Sequence, residues 1–302
     1  MFHNKLYRRF VSLKWTLGFI DYSPEIILDK QITPNIHWIK DSHKGSWFAD
    51  PFILSITEHD IVLLVEEFVY KTGLGRISKL VVSKQDYQFK SVKPLIDTGS
   101  HLSFPAYYRE NGKVYIYPEN THSGKLYLYE YDENTDEVKE KGVLIGRPLA
   151  DAIITKIEDK EVILATTSPN DNGKVLDIYK LRGENDLPFN NVSFTTNTAR
   201  NAGFVFQEGG VQFRPAQDCS NSYGECVVLQ KIIHSGGCLQ FKEWKRFYST
   251  NKRYALAFHT FNVFNNKMIV VDAQGFRYGV GAYIKNIIST IKDANKLKYK
   301  RP

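Results

Sequence analysis

Short apolar runs recur along this chain at intervals of roughly fifty residues, and a small or polar residue stands near the start of each one. The runs begin as Phe48-Ala-Asp-Pro, His101-Leu-Ser-Phe-Pro, Leu149-Ala-Asp-Ala, Arg200-Asn-Ala-Gly and Phe258-His-Thr-Phe. Each is followed by a turn and by further strand-sized runs. We therefore predict an all-β, five-bladed β-propeller with blades starting near residues 48, 101, 149, 200 and 258.

The composition fits one domain with a large core. The chain has 302 residues, 42% of them hydrophobic and 14% aromatic, so a single domain over residues 1–302 is expected. Evenly spaced turns argue against a β-sandwich with irregular loops. The three cysteines lack the paired spacing of a zinc site, and no Asp-x-Asp pair is present. We expect free thiols in a reducing compartment and predict no metal ligands and no cofactor.

Positive charge is concentrated at the two ends of the chain, whose net charge is +7. Isoleucines recur at helical spacing between lysines over residues 284–292, which predicts a short amphipathic C-terminal helix with a basic tail over residues 283–302. Packing of this helix on the propeller and docking on an anionic membrane surface both stay open. Nucleic acid is disfavoured, because the basic residues are not interleaved with exposed aromatics.

The N-terminus is basic and aromatic, without an apolar stretch or a small-residue cleavage site. No apolar run approaches the ~20 residues of a spanning helix. These features predict a cytoplasmic protein, with peripheral attachment to the inner face of the membrane as an option for the basic helix.

Polar residues near the starts of the runs are the first candidates for a functional site. In a propeller the first strand of each blade lies innermost, so its starting residues cluster around the central axis. Six residues far apart in sequence are predicted to meet there in one funnel: Asp50, His101, Ser103, Asp151, Arg200 and His259. Because burying an unpaired charge is costly, these side chains must be paired with one another or functional.

Several carboxylates are candidates for acid–base chemistry at this axis. Asp50 precedes a proline, which is also common in structural turns, and Asp151 occupies the corresponding position two blades later. Adjacent strand residues face opposite sides, so only one of Glu66 and Glu67 can face the axis, and we predict Glu67. Glu119 follows an aromatic strand and either faces the axis or forms a salt bridge with a nearby arginine, Arg200 or Arg214.

Paired carboxylates at corresponding blade positions can stand on either side of a sugar, one as base or nucleophile and one donating or tuning a proton. We therefore predict Asp50, Glu119 and Asp151 as catalytic residues. The fourth run adds Arg200, Arg214, Gln217 and Asp218. Arginines on rigid strands can hold a substrate phosphate through two hydrogen bonds, and pairing with acids between blades is the structural alternative.

These phrases together resemble a known family, the five-bladed propeller domain found at the N-terminus of plant glucosamine inositolphosphorylceramide transferases and in bacterial proteins of surface-polysaccharide gene clusters. The matching residues are Trp15 with Leu17-Gly18, Ala49-Asp-Pro-Phe52, Glu67-Phe68, Gly75-Arg-Ile77, His101-Leu-Ser-Phe-Pro105, Tyr117-Pro-Glu119, Asp151, Ala199-Arg200 with Gly203, Arg214-Pro-Ala-Gln-Asp218, Tyr223-Gly224, and His259 with Asp272. With this resemblance, the predicted substrate-binding residues are Glu67, Arg76, His101, Ser103, Arg200, Arg214, Gln217, Asp218 and His259.

The family in turn looks like the five-bladed glycosidase clan of arabinanases and xylosidases. That likeness implies Asp50 as the base and Asp151 as the residue that tunes the acid. The clan usually takes its acid from a fourth-blade glutamate, and the phrase from Arg214 to Asp218 contains none.

Three functions stay open. The first is a glycosyltransferase of bacterial surface-polysaccharide assembly, in which arginines hold a phosphate-activated sugar donor and Asp50 or Glu119 deprotonates a glycan or lipid-linked acceptor. The second is a glycoside hydrolase or phosphorylase that uses Asp50, Glu119 and Asp151. The third is a noncatalytic glycan-binding propeller. The arginine-rich funnel and the lack of an export signal favour the transferase.

Overall fold

The computed structural model describes residues 11–40, 43–182, 186–235 and 238–278. The described chain begins with β1 (Val11–Asp21), the short helix α1 (Pro24–Leu28) and β2 (His37–Trp38). Blade 1 contains β3 (Ser46–Ile56), β4 (Asp60–Val69), β5 (Leu74–Ser83) and β6 (Phe89–Ile96). Blade 2 contains β7 (Tyr107–Glu110), β8 (Lys113–Ile116), β9 (Leu126–Tyr131) and β10 (Val138–Ile145).

Blade 3 contains β11 (Leu149–Ile157), β12 (Lys160–Thr167), β13 (Val175–Lys180) and β14 (Asn190–Ser193). Blade 4 contains β15 (Phe206–Glu208), β16 (Val211–Asp218), β17 (Cys226–Ser235) and β18 (Cys238–Phe247). The last strands along the chain are β19 (Phe261–Phe264) and β20 (Met268–Tyr278). The structure confirms the five-bladed all-β propeller.

Blade 5 closes the propeller with strands from both ends of the described chain. Its order is β19, β20, β1, β2. β1 pairs with β20 along its whole length, from Val11 opposite Tyr278 to Asp21 opposite Met268. Since sequence periodicity places the N-terminal strand before the first repeat, it does not reveal that this strand completes the last one.

Both faces of a blade are buried against its neighbours. On β4, Leu63 and Val65 belong to the same apolar cluster as Phe19 of blade 5, whereas Leu64 belongs to a cluster with Phe104 of blade 2. Strands buried on both faces appear in sequence as unbroken apolar runs. This explains the continuous run Ile61-Val-Leu-Leu-Val65, and it removes the polar alternation that would otherwise tell one face from the other.

A buried lysine fastens the segment around α1 to blade 4. Lys245 Nζ donates hydrogen bonds to the carbonyl oxygens of Ile26 (2.6 Å), Asp29 (2.7 Å) and Ile32 (2.8 Å). Burial lowers the pKa of this lysine, so the charged form of its side chain is stabilised by the hydrogen bonds to these three carbonyl oxygens.

We expect Lys245→Met to lower the free energy of unfolding by about 1–3 kcal/mol, because backbone carbonyls lose their donor. Urea unfolding measures this loss, with Lys242→Met on the exposed part of the same strand as control. Equal stabilities of the two variants would contradict the fastening role.

The predicted C-terminal helix and basic tail over residues 283–302 lie outside the described residues. Within the described part of the chain, no helix has the length and apolar character needed to cross a membrane.

Candidate active site

The inner strands of blades 1 and 3 share an unusual backbone at their predicted acids. Asp50 has a φ of 49° and Asp151 a φ of 45°, so both lie in the left-handed region, each within a β-bulge. This conformation costs a non-glycine residue on the order of 1–3 kcal/mol and persists where surrounding contacts require it. Because such strain concentrates at functional sites, both positions are favoured as parts of a site.

Asp50 is held by groups from blades 2 and 5. Its Oδ2 accepts a hydrogen bond from the Phe104 amide (3.1 Å), and its own amide donates to Asp272 Oδ2 (2.9 Å). His259 lies between the two acids, with Nε2 3.6 Å from Asp50 Oδ1 and Nδ1 2.7 Å from Asp272 Oδ1. Trp15 stacks on the His259 ring, with 3.9 Å between centroids. The imidazole is therefore fixed by packing as well as by charge.

Protonation at this trio follows from burial and from the neighbouring charges. Burial lowers the pKa of His259, but the carboxylates of Asp272 and Asp50 outweigh it, so the pKa lies above its usual value. Burial raises the pKa of Asp50 to about 7, against the opposing effect of His259. A protonated His259 thus favours the carboxylate form of Asp50 near neutral pH, where a general base works best.

Arg200 forms ion pairs with three acids, which make up a second group of charged side chains at the site. Its Nε lies 2.6 Å from Asp151 Oδ2, its Nη2 lies 3.0 Å from Glu119 Oε2, and its Nη1 lies 2.6 Å from Asp171 Oδ2. The Arg200 side chain is only 7% exposed. The predicted alternative for Glu119, a salt bridge with Arg200, is therefore present, and the guanidinium is already engaged by protein carboxylates.

Asp151 has both carboxylate oxygens occupied by the protein. Gln217 Nε2 donates to Asp151 Oδ2 (2.6 Å), and Arg200 contacts both oxygens. The Asp151 amide donates to Glu119 Oε2 (3.1 Å). Burial raises the pKa of Asp151 to about 7 in spite of Arg200. These contacts fit a residue that positions and tunes its neighbours better than one that attacks a substrate.

Glu66, not Glu67, joins the axial acids, which corrects the sequence prediction. Glu67 accepts hydrogen bonds from Ser46 (2.8 Å), Ser78 (2.7 Å) and Arg76 (2.9 Å) within blade 1. Burial and the charges of the other axial carboxylates raise the pKa of Glu66 well above its usual value. Alternation rightly allows only one of the two acids to face the axis, but it does not say which one, because both strand faces are buried between blades. The one sign of Glu66 in the sequence is that it is a second acid directly beside Glu67.

His101 and Ser103 lie beside these acids, as predicted. His101 Nε2 is 3.4 Å from Glu66 Oε1. Ser103 exchanges two backbone hydrogen bonds with Glu119, at 3.2 and 2.9 Å. The structure thus brings the six predicted anchors into one axial cluster. It adds Glu66 and also Asp171, which comes from a loop of blade 3 that the repeat pattern did not single out.

Arg214 is buried next to the site and bonds to other residues of the protein. It is completely buried, its Nε donates to Asn201 Oδ1 (2.7 Å) and its Nη1 to Gln230 Oε1 (2.6 Å). Its guanidinium packs against the rings of Phe194 and Phe241, 5.7 and 5.3 Å from their centroids. A side chain without exposed surface does not reach a substrate phosphate, so the predicted direct contact does not fit this arrangement.

Two further predicted binding residues are paired within their own blades. Asp218 Oδ2 lies 2.6 Å from Arg246 Nη1, and Arg76 Nε lies 2.9 Å from Glu67 Oε2. The Arg76 side chain is partly exposed and also lies 3.7 Å from Asp97. Substrate contact by these residues stays a prediction, since both already have a protein partner.

An exposed aromatic ring lies next to the axial cluster. Tyr223 is 46% exposed, its ring meets that of His259 edge-on at 5.6 Å, and it lies 5.5 Å from the Arg200 guanidinium. The next residue, Gly224, has a φ of 58°, and a Cβ there would lie 2.6 Å from His259 Cβ. Glycine is required for this close approach, which holds the Tyr223 ring beside the site.

Comparison with known proteins agrees with this architecture. A family model described as the N-terminal region of glucosamine inositolphosphorylceramide transferase 1 matches residues 35–255. The chain belongs to this family. The transferase from Arabidopsis thaliana is 27% identical over 200 residues, which are 62% of this chain and 26% of that protein. The transferase from Oryza sativa subsp. indica is 26% identical over 199 residues, 63% of this chain and 27% of that protein.

The chain thus spans about a quarter of the length of the transferases it matches. Among solved structures, the GH43_1 enzyme from Xanthomonas citri complexed with xylose has a TM-score of 0.53 and 8% identity, over 78% of this chain and 88% of that one. RS223-β-xylosidase has a TM-score of 0.51 and 10% identity, over 76% of this chain and 92% of that one. At these identities the likeness shows the fold alone.

One group of side chains in this family member has the donor set of a metal site. Asp50, His259 and Asp272 each offer a ligand atom, and these atoms lie within 4.8 Å of one another; no other such group occurs in the described ranges. The same atoms already form a hydrogen-bonded, charge-balanced trio, which accounts for their closeness. The sequence-based expectation of no metal stays a prediction.

The raised pKa values of the axial acids predict a pH-dependent stability. A buried carboxyl whose pKa is higher in the folded state binds its proton more tightly there. The contribution of Asp50 is therefore fully present below its unfolded value of 3.8 and is lost as the pH rises through about 7. Urea unfolding across this range should show wild type losing stability relative to Asp50→Asn as the pH rises. A constant difference between the two proteins would contradict the raised pKa.

Proposed function

We propose that the axial cluster is the active site of a domain that takes part in glycosyl transfer to a glycan or glycolipid acceptor. The observation that carries the proposal is His259 fixed between Asp50 and Asp272, which keeps the buried Asp50 carboxylate ready to accept a proton. Asp50 takes the proton of the acceptor hydroxyl as the new bond to the sugar forms. Membership of a transferase family supports sugar chemistry in general, and the location of this step in the present domain is our proposal.

The charge of the cluster favours a particular kind of sugar. Among the described residues, five carboxyl groups of the cluster share only two cationic groups, Arg200 and His259: those of Asp50, Glu119, Asp151, Asp171 and Asp272. Such a site repels a phosphate in direct contact and attracts a cation. The matched relatives carry glucosamine in their name, and the ammonium group of an amino sugar suits these acids. We therefore propose an amino sugar at the axis, with only the leaving oxygen of its donor in contact with the acidic cluster and the rest of any activating phosphate outside it.

Bacterial surface-polysaccharide assembly and a cytoplasmic location are proposals that rest on the sequence alone. The acceptor class is supported in a general way by the matched relatives, whose name includes a glycolipid.

The test is a product screen with two arms. Nucleotide-activated sugars are incubated with a nitrophenyl glycoside acceptor in one arm, and nitrophenyl glycosides are incubated alone in the other, with mass spectrometry of the products. We expect a transfer product with an amino sugar in the first arm and none with Asp50→Asn. Release of nitrophenol without transfer would indicate a hydrolase. Sugar binding detected by thermal shift without turnover in either arm would indicate a glycan-binding domain and would contradict the proposal.

A further inference from the structure

Glu66 has a carboxyl oxygen without a hydrogen-bond partner. The residue lies near the end of β4 and is 6% exposed, and its Oε1 accepts no hydrogen bond from any described residue. Buried polar atoms in native proteins nearly always have a partner. A missing one at the centre of a candidate active site points to a group that arrives from outside the chain, such as a substrate oxygen.

The neighbours of Glu66 pack closely around this oxygen without forming a hydrogen bond to it. A Cβ at Gly75 would lie 2.6 Å from Glu66 Oε1 and 2.5 Å from the carbonyl oxygen of Leu102, so only glycine fits there without displacing them. The Gly75 amide donates to His101 Nδ1 (3.0 Å), which leaves the ring proton of a neutral His101 on Nε2. That nitrogen lies 3.4 Å from Glu66 Oε1 and forms no hydrogen bond with it.

Glu66 also lacks a cationic partner, in contrast to Asp50. Burial lowers the pKa of His101, so this neighbour is neutral at pH 7. Burial and the charges of Asp50, Glu119 and Asp151 favour the protonated form of Glu66. Asp50 instead has a charged His259 and a backbone donor. Groups that favour the charged form thus act on Asp50, and two carboxyl groups in such different surroundings can serve as a base and an acid.

We propose that Glu66 is the proton donor of the axial site and Asp50 its proton acceptor. This inference rests on the proposed function and assigns a second catalytic residue to it. It also provides an acid in a protein whose fourth blade has no glutamate between Arg214 and Asp218.

The step balances without a further reactant. The acceptor oxygen forms a bond to the anomeric carbon of the sugar, and its proton passes to the Asp50 carboxylate. The bond from the anomeric carbon to the leaving oxygen breaks, its electron pair stays on that oxygen, and the proton of Glu66 neutralises it. The two carboxyl groups exchange protonation states, and solvent exchange of protons restores them.

Infrared spectroscopy tests the protonation of Glu66 without any substrate. Glu66→Gln is compared with Glu67→Gln, a matched control whose carboxylate is paired with Arg76. At neutral pH, we expect the spectrum of wild type minus Glu66→Gln to contain a protonated carboxyl band. The corresponding difference for Glu67→Gln should contain carboxylate bands only. Carboxylate bands alone in the first difference would overturn the proposal.

Dependence on the leaving group separates proton donation from a structural role. A dinitrophenyl leaving group needs no proton, whereas a methyl glycoside does. For the sugar identified by the product screen, Glu66→Gln should slow the methyl glycoside by ~10²–10⁴-fold and leave the dinitrophenyl glycoside nearly unchanged. Equal slowing of both would show that Glu66 acts structurally and would overturn the proposal.

The activities of wild type and of Glu66→Gln distinguish a failure of this proposal from a failure of the proposed function. If wild type turns over no sugar at all, the proposed function fails and the catalytic assignment of Glu66 fails with it. If wild type is active and Glu66→Gln reacts normally with both leaving groups, only the assignment of Glu66 fails.

Discussion

Asp50→Asn is expected to lower turnover by ~10²–10⁴-fold, the usual contribution of a general base, while the propeller stays folded. Asparagine keeps the shape of the side chain and an oxygen that can accept the hydrogen bond from the Phe104 amide. It cannot take a proton from an acceptor hydroxyl. Because the buried charge is removed, we expect unfolding free energy at pH 8 equal to or higher than that of wild type.

Steady-state rates on the substrate found in the product screen measure this effect. Asp60→Asn is the control in the same blade, since Asp60 pairs with Lys90 on a partly exposed surface. Full activity of Asp50→Asn would exclude Asp50 as the base. A large loss of stability together with retained turnover would assign the aspartate a structural role.

Arg200→Met is expected to have the largest effect on stability. Removing the guanidinium leaves Asp151, Glu119 and Asp171 without their shared cation, and breaking a buried ion pair costs about 3–5 kcal/mol. The loss should grow as the pH rises, because the orphaned carboxyl groups can avoid charge by protonation only at low pH. Urea unfolding at several pH values measures both parts of this prediction.

The matched control is Arg182→Met, since Arg182 forms an ion pair with Glu110 at 3.1 Å but is 73% exposed. Exposed pairs contribute about 0–1 kcal/mol. Similar losses in the two variants would contradict a special role of the Arg200 network. A small loss for Arg200→Met would instead mean that the acids find water or other partners once the guanidinium is gone.

The structure brings the six predicted anchors together, and two of them, Asp50 and Asp151, lie at irregular positions of an inner strand. Asp50 and Asp151 interrupt apolar runs, and a buried acid in such a run has to be paired or functional. The choice of Glu67 over Glu66 was wrong, since a propeller blade buries both faces of its strands and Glu67 is paired with Arg76 instead. Arg214 is likewise paired within the protein, because residue type does not tell whether a buried arginine faces a ligand or other protein groups.

The sequence by itself determined the five-bladed architecture and the positions of the polar strand starts, because a repeat must recur at fixed intervals for its blades to pack on one another. Only the tertiary structure decided how the circle closes, which of Glu66 and Glu67 joins the axial acids, and which arginine reaches them. These outcomes depend on contacts between residues far apart along the chain, such as the hydrogen bond from the Asp50 amide to Asp272, 222 positions away. Local sequence patterns carry no information on such pairs, since both faces of a blade strand are buried and therefore have similar apolar residues.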